Sequence, residues 1–297
     1  MLATVLSQCI TGGPSVPKAI DVHVHAPLPP ESGRDVVGEQ MARYFRSEPT
    51  PRDPEEFYQY YKDRDIIAVL LWVDARTQSD RPQGSNDWIA ELVRRHPDQF
   101  IGFGSVDPHM GREAVREARR CVEELGLRGF KFHPITQRFE ANDPRFYPLW
   151  QTISDLGVPA LFHTGQTGVG ARTPGQSGIK NKYGRPYPYF DDLAADFPEL
   201  TIILAHPSFP WVDEQLSVAN LKTNVYIDLS GWSPKYFSPN LVQYCNTLLQ
   251  DKALFGSDYP AITPDRWLRD FAEVPFSEEV RPKILLENAR QVLKLTG

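Results

Sequence analysis

Cysteine is scarce in this chain. Its 297 residues include three, Cys9, Cys121 and Cys245, widely spaced and odd in number. Neither a disulfide framework nor a CxxC site follows, and a reducing compartment is expected. Positive charge is short as well, with 32 Lys and Arg against 38 Asp and Glu and a formal net charge of −6. With no dense basic stripe, the sequence offers no surface for nucleic-acid phosphates. No apolar run approaches the roughly 20 residues of a membrane span. Met1 to Pro14 has neither the basic start nor the apolar core of a secretion signal. A cytoplasmic protein that binds no membrane is the expectation. A Gly-rich GxGxxG turn after a strand is also missing, which weighs against a nucleotide-binding open sheet.

What the chain does have is material for a core: 41% apolar residues, with 16 Phe, 12 Tyr and 6 Trp. Short apolar runs alternate with amphipathic stretches along its length. Strands are expected at 20–25, 66–72, 100–106, 127–133, 158–163, 200–206, 225–229 and 253–257. Helices are expected between them, among them 35–46, 86–95, 113–125, 146–156, 189–197, 212–219 and 240–249, with two closing helices over 265–273 and 278–295. Asp53-Pro54-Glu55-Glu56 reads as a helix start, Asp capping and Pro in the first turn. Near-continuous apolar strands alternating with helices indicate a parallel sheet covered by helices. Eight such units in this length predict a distorted (β/α)8 TIM barrel, one α/β domain over 1–297. Residues 1–18 form a lead-in, and 27–54 an insertion after the first strand.

Chemistry gathers at the strand ends. Ile20-Asp21-Val22-His23-Val24-His25 alternates polar and apolar, so Asp21, His23 and His25 are expected on one face and Val22 and Val24 on the other. Imidazoles one pleat apart suit a divalent ion. His133, His163 and His206 end the fourth, fifth and sixth strands, and Asp258 ends the eighth. A single strand-end histidine is ordinary as a core imidazole bonded to a carbonyl. Five of seven histidines at the C-terminal rim, where barrel active sites lie, together with a carboxylate, form a site.

This order, HxH on strand one, His on strands five and six and Asp on strand eight, resembles the amidohydrolase superfamily. Ala-His-Pro-Ser at 205–208, Phe-Gly-Ser-Asp-Tyr-Pro at 255–260 and Glu-Asn-Ala-Arg at 287–290 resemble its amidohydrolase-related branch, which includes aminocarboxymuconate semialdehyde decarboxylase, resorcylate-type decarboxylases and several hydrolases. The resemblance implies that His23, His25, His163 and Asp258 hold one divalent ion, most often Zn, with Mn or Fe as alternatives. It further implies that His206 acts as base, that Asp21 lies where some members carry an acidic ligand, and that a homodimer is the usual assembly of such barrels.

Lys131 shares its strand face with His133, and both are read as substrate-contacting or structural, an ion pair of Lys131 with Asp21 being the plain alternative. The loop from Gly165 to Pro188 carries Arg172, Lys180, Lys182 and Arg185 and no acidic residue. In an acidic protein this suggests attraction of a small anionic substrate, or else a solvated surface. Trp232, Tyr236 and Phe237 after the seventh strand suggest an aromatic wall, or simple packing on the next helix. The expected activity is metal-dependent hydrolysis of a carbonyl substrate, such as an aromatic β-ketoacyl thioester or an ester, by a water bound to the ion. Non-oxidative decarboxylation of an aromatic or unsaturated acid is the alternative, and an inactive binding or assembly barrel the second.

Overall fold

The computed structural model describes residues 17–29, 32, 36–47, 50–79 and 84–295. Most of the lead-in, with Cys9, and the start of the expected 35–46 helix lie outside the described residues. Eight parallel strands run in chain order: β1 (Ala19–His25), β2 (Ile66–Leu71), β3 (Phe100–Gly102), β4 (Phe130–Phe132), β5 (Ala160–His163), β6 (Ile202–Ala205), β7 (Val225–Asp228) and β8 (Ala253–Leu254). Strands β1 to β3 and β4 to β8 pair as two arcs. Single bridges join them, Gly104 to Phe130 on one side and Val24 to Tyr259 on the other. The result is the closed barrel that the alternation of elements predicts, with β3 and β8 shorter than expected because their chains leave the ladder where the rim loops begin.

Among the described residues, ten α-helices, α1 (Val36–Phe45), α2 (Pro54–Lys62), α3 (Asn86–Arg95), α4 (Arg112–Glu123), α5 (Pro134–Gln137), α6 (Tyr147–Asp155), α7 (Tyr189–Asp196), α8 (Val212–Leu221), α9 (Pro239–Asn246) and α10 (Pro264–Ala272), precede a C-terminal segment. Helix α2 starts as its sequence dictates: Asp53 accepts the backbone N–H groups of Glu55 and Glu56, with Pro54 in the first turn. The expected single helix at 278–295 is instead broken, helical at Val280–Pro282 and Asn288–Val292 around a wide π turn at Lys283–Glu287. None of the described helices is long and apolar enough to cross a membrane.

Two apolar shells follow from the pleat. Alternate strand residues such as Ala68, Leu70, Phe130, Phe162, Ile202 and Ile227 pack outward on the helices. Their neighbours Ile20, Val22, Val69, Ile101, Leu161, Ile203 and Leu254 fill the barrel interior. Ala289, Val292 and Leu293 of the C-terminal segment pack against this inner cluster and plug the barrel floor. The interior is therefore dry below and can carry polar groups only toward the strands' C-terminal ends, and there the histidines lie.

Candidate active site at the barrel rim

Strand β1 does not alternate as its sequence suggests. Asp21 pairs with Ala68 but Val24 with Leu70, so Val22 and His23 together oppose one residue of β2. This bulge turns both inward. Val22 joins the inner core, His23 and His25 reach the site, and Asp21 faces outward. The expectation that Asp21 shares the histidine face is thus corrected. Its fully buried carboxylate accepts from Ser257 N at 2.8 Å, Ser257 Oγ at 2.5 Å, Tyr61 Oη at 3.2 Å and His23 N at 3.2 Å. Asp21 is a strut that ties β1 to the turn after β8, and it stands apart from the cluster formed by His23, His25 and Asp258. Burial pushes its carboxyl up to about 7, against the pull of those donors.

Within the site, one Asp258 oxygen lies 3.3 Å from His23 Nε2 and 3.3 Å from His25 Nε2. The ligand atoms of His23, His25 and Asp258 lie within 4.8 Å of one another. Asp258 and His206 both hold left-handed backbone, at φ 66° and 69°. Such conformations are costly for residues with a Cβ and collect where side chains must be aimed. His163 stands next to this trio. Its Nδ1 is 3.0 Å from His206 Nε2, its ring stacks on His133 at 3.8 Å and 9°, and its buried Nε2 has no partner.

Behind the histidines lies a group to which the sequence reading gave no role. Asp228, the last residue of β7 and fully buried, places Oδ2 at 2.7 Å from His23 Nδ1. The same oxygen accepts from Ser230 Oγ at 2.8 Å. Ser230 Oγ is also 3.0 Å from the Nδ1 atoms of both His23 and His206. The available signal was an aspartate ending an apolar, doubly covered strand, a charge that must find a partner.

Lys131 is buried and points inward, but its partner is not Asp21. Its Nζ donates to His23 Nε2 at 2.9 Å. Burial lowers the Lys131 ammonium and raises the Asp228 carboxyl, opposed by the attraction of Lys131 to the carboxylates of Asp258 and Asp228. Burial first, then crowding by Lys131 and the other rings, lowers His23 well below the ordinary histidine range, as burial and the neighbouring rings do for His163. His206 falls to about 4 by burial, opposed by Asp258. The three imidazoles are neutral, the form in which histidine ligates metal. Asp258 is held below the usual carboxylate range: burial raises it, but His25, His206 and Lys131 outweigh that.

These donors fit a divalent ion. Two imidazole nitrogens and a carboxylate oxygen converge; His163, the expected fourth ligand, is not in that cluster, but its buried Nε2 has no other partner. Lys131 would have to yield its bond to His23 Nε2.

The other expected substrate residues fare differently. His133 Nδ1 accepts from Thr136 N at 3.3 Å, which leaves its Nε2–H to face Thr167 Oγ1 at 3.4 Å. Arg172 is exposed, its guanidinium 5.4 Å from the Tyr44 ring centre. Lys182 donates to Glu140 at 3.0 Å and Arg185 forms a bidentate pair with Glu214. Two of the loop's four cations are thus paired with acids from neighbouring elements. Trp232 packs on Phe209, ring centres 5.5 Å apart, Tyr236 is exposed, and Phe237 leans on Trp267.

Comparison with known proteins fits this picture. The chain is 25% identical over 256 residues to the 2-amino-3-carboxymuconate-6-semialdehyde decarboxylase of Dictyostelium discoideum, covering 77% of this chain and 70% of that one. A TIM-barrel protein from Bordetella bronchiseptica superposes with a TM-score of 0.76 at 24% identity, over 93% of this chain and 98% of that one. A dihydroxybenzoic acid decarboxylase from Polaromonas sp. JS666, solved with bound manganese and the inhibitor 2-nitroresorcinol, superposes with a TM-score of 0.64 at 22% identity, over 94% and 97% of the two chains. The sequence pattern of the amidohydrolase family matches residues 20–295, nearly the whole barrel, and the chain belongs to that family.

Proposed function

We propose that the protein is a metal-dependent enzyme that removes carbon dioxide from an aromatic or unsaturated carboxylic acid without oxidation. The observation that carries this reading is the convergence of His23, His25 and Asp258 within 4.8 Å, beside the buried cation Lys131. The names of the relatives support decarboxylation over the hydrolysis first expected from the sequence. Manganese in a related barrel supports Mn as the ion rather than Zn.

His23, His25, Asp258 and His163 would hold the ion, which supplies a positive centre to anchor and polarise the oxygens of the acid. Lys131 and the His133 Nε2–H are the donors that orient the substrate carboxylate or an adjacent hydroxyl. Asp258, ionised at the mouth of the cluster, takes a proton from solvent and passes it to the carbon that carries the carboxylate. The carbon–carbon bond then breaks, its electron pair stays on the carbon that received the proton, and carbon dioxide leaves. The reaction balances as carboxylate plus proton to product plus carbon dioxide, with no oxidant.

The test is a panel of ortho-hydroxybenzoates with Mn2+ in 18O-labelled water. Decarboxylation releases carbon dioxide and a product with no solvent oxygen. Turnover of esters or thioesters with 18O in the product, and none of the acids, would replace this reading with hydrolysis.

A further inference from the structure

The hydrogen bonds around Asp228 fix which nitrogen of each neighbouring histidine carries its proton. An ammonium can only donate, so His23 Nε2, 2.9 Å from Lys131 Nζ, is a bare lone pair and the proton of His23 sits on Nδ1. That Nδ1–H donates to Asp228 Oδ2 at 2.7 Å. The same carboxylate is the strongest acceptor within reach of Ser230 Oγ and takes its proton at 2.8 Å. Ser230 has one proton to give, so toward His206 Nδ1 at 3.0 Å it can only accept. His206 is therefore protonated on Nδ1, and its Nε2 is an acceptor for His163 Nδ1–H at 3.0 Å. His163 is left with a bare Nε2, the buried atom without a partner. The reverse orientation would bury an unpaired N–H there.

Two glycines make room for this chain of bonds. A Cβ at Gly231, whose φ is +71°, would lie 2.4 Å from His206 Nδ1, and one at Gly256 would lie 2.2 Å from Asp228 Oδ1.

We propose that Asp228 and Ser230 are positioning residues: through one serine hydroxyl, a single carboxylate sets the tautomers of His23, His206 and His163 and presents the Nε2 atoms of His23 and His163 as lone pairs to the site. The proposal rests on the metal-dependent reading for its purpose, but the tautomers themselves belong to the metal-free protein. His206 thereby acts on the site through His163.

The experiment is long-range 1H–15N correlation of the imidazoles in metal-free protein, wild type and Ser230→Ala, with Mn2+ affinity of both measured by chelator competition. The expected wild-type spectrum shows His23, His163 and His206 all protonated on Nδ1, the minor form of free histidine. In Ser230→Ala, His23 keeps its tautomer while His206 and His163 lose theirs, and Mn2+ affinity falls about tenfold to a hundredfold, the range for groups that orient metal ligands. A wild-type His163 protonated on Nε2 would overturn the proposal, as would a Ser230→Ala variant whose tautomers and affinity match the wild type. Wild type that binds no Mn2+ would instead overturn the metal-dependent reading, and the spectra would still decide the relay. Ser230→Ala removes one oxygen, and its thermal melt checks that it folds.

Discussion

The two sides of the barrel rim are built differently. On the side of β1, β7 and β8, the fully buried carboxylates are answered: Asp21 by Ser257 and Tyr61, Asp228 by His23 and Ser230. On the side of β4 and β5, His133 and His163 stack face to face under a long loop, with a 3.4 Å contact to Thr167 and one nitrogen unpartnered. The first side is rigid because satisfied buried networks have one arrangement. The second keeps donors and acceptors uncommitted, which is what a substrate requires. Under the proposed reading the ion is held chiefly from β1 and the turn after β8, with His163 reaching in from β5, and the acid is received on the β4 side.

The largest effect that would break this division is at His23. His23→Ala should abolish stoichiometric metal, read by plasma mass spectrometry, and lower turnover by on the order of a hundredfold or more. Retained metal and activity would show that the tight side is not the ligand side. His206→Ala comes next and separates two roles. A base that only touches water would lose turnover and keep metal, whereas a residue that sets the His163 tautomer loses both, and weakened Mn2+ affinity is the outcome expected here.

Glycines sharpen the contrast in stability. Gly256→Ala forces a Cβ to within 2.2 Å of Asp228 Oδ1 and should cost about 1–3 kcal/mol in urea unfolding, the usual range for overpacking. Gly175, in the loop, has positive φ, +55°, unlike Gly256, but a Cβ there meets nothing within 4 Å, so Gly175→Ala should show only the left-handed backbone cost of about 1 kcal/mol. Equal losses would erase the difference in rigidity. His133→Ala should raise KM about tenfold with a smaller change in kcat, the effect of removing one hydrogen bond to a charged group. The smallest effect is at Arg172: Arg172→Ala should leave KM within about twofold, since its side chain lies over Tyr44 at the surface.

What the sequence revealed tracks how local each feature is. The barrel was legible because alternating helix and strand periods are written in neighbouring residues, and α3 runs over Asn86–Arg95 as expected because Ser85 caps it and its apolar face repeats at helical spacing. The strand-end histidines were legible because only side chains at strand ends share a rim. The orientation of Asp21 was not, since a bulge is set by the pairing of β1 with β2 rather than by residues 20–25 alone. Asp228 was hidden inside an apolar run, and its meaning depends on Ser230 and on His23, 205 positions away. The loop's positive charge misled for a similar reason: the acids that answer it, Glu140 and Glu214, come from other parts of the chain.

Lys131 sets a cation 2.9 Å from His23 Nε2. Under the proposed reading, a placeholder of this kind lets the barrel finish folding before a metal binds, because His23 Nε2 already has a donor. Under the proposed reading, stripped protein should therefore be recoverable by chelation and reloaded by dialysis at neutral pH, with no refolding step, and different ions can be compared on a single preparation.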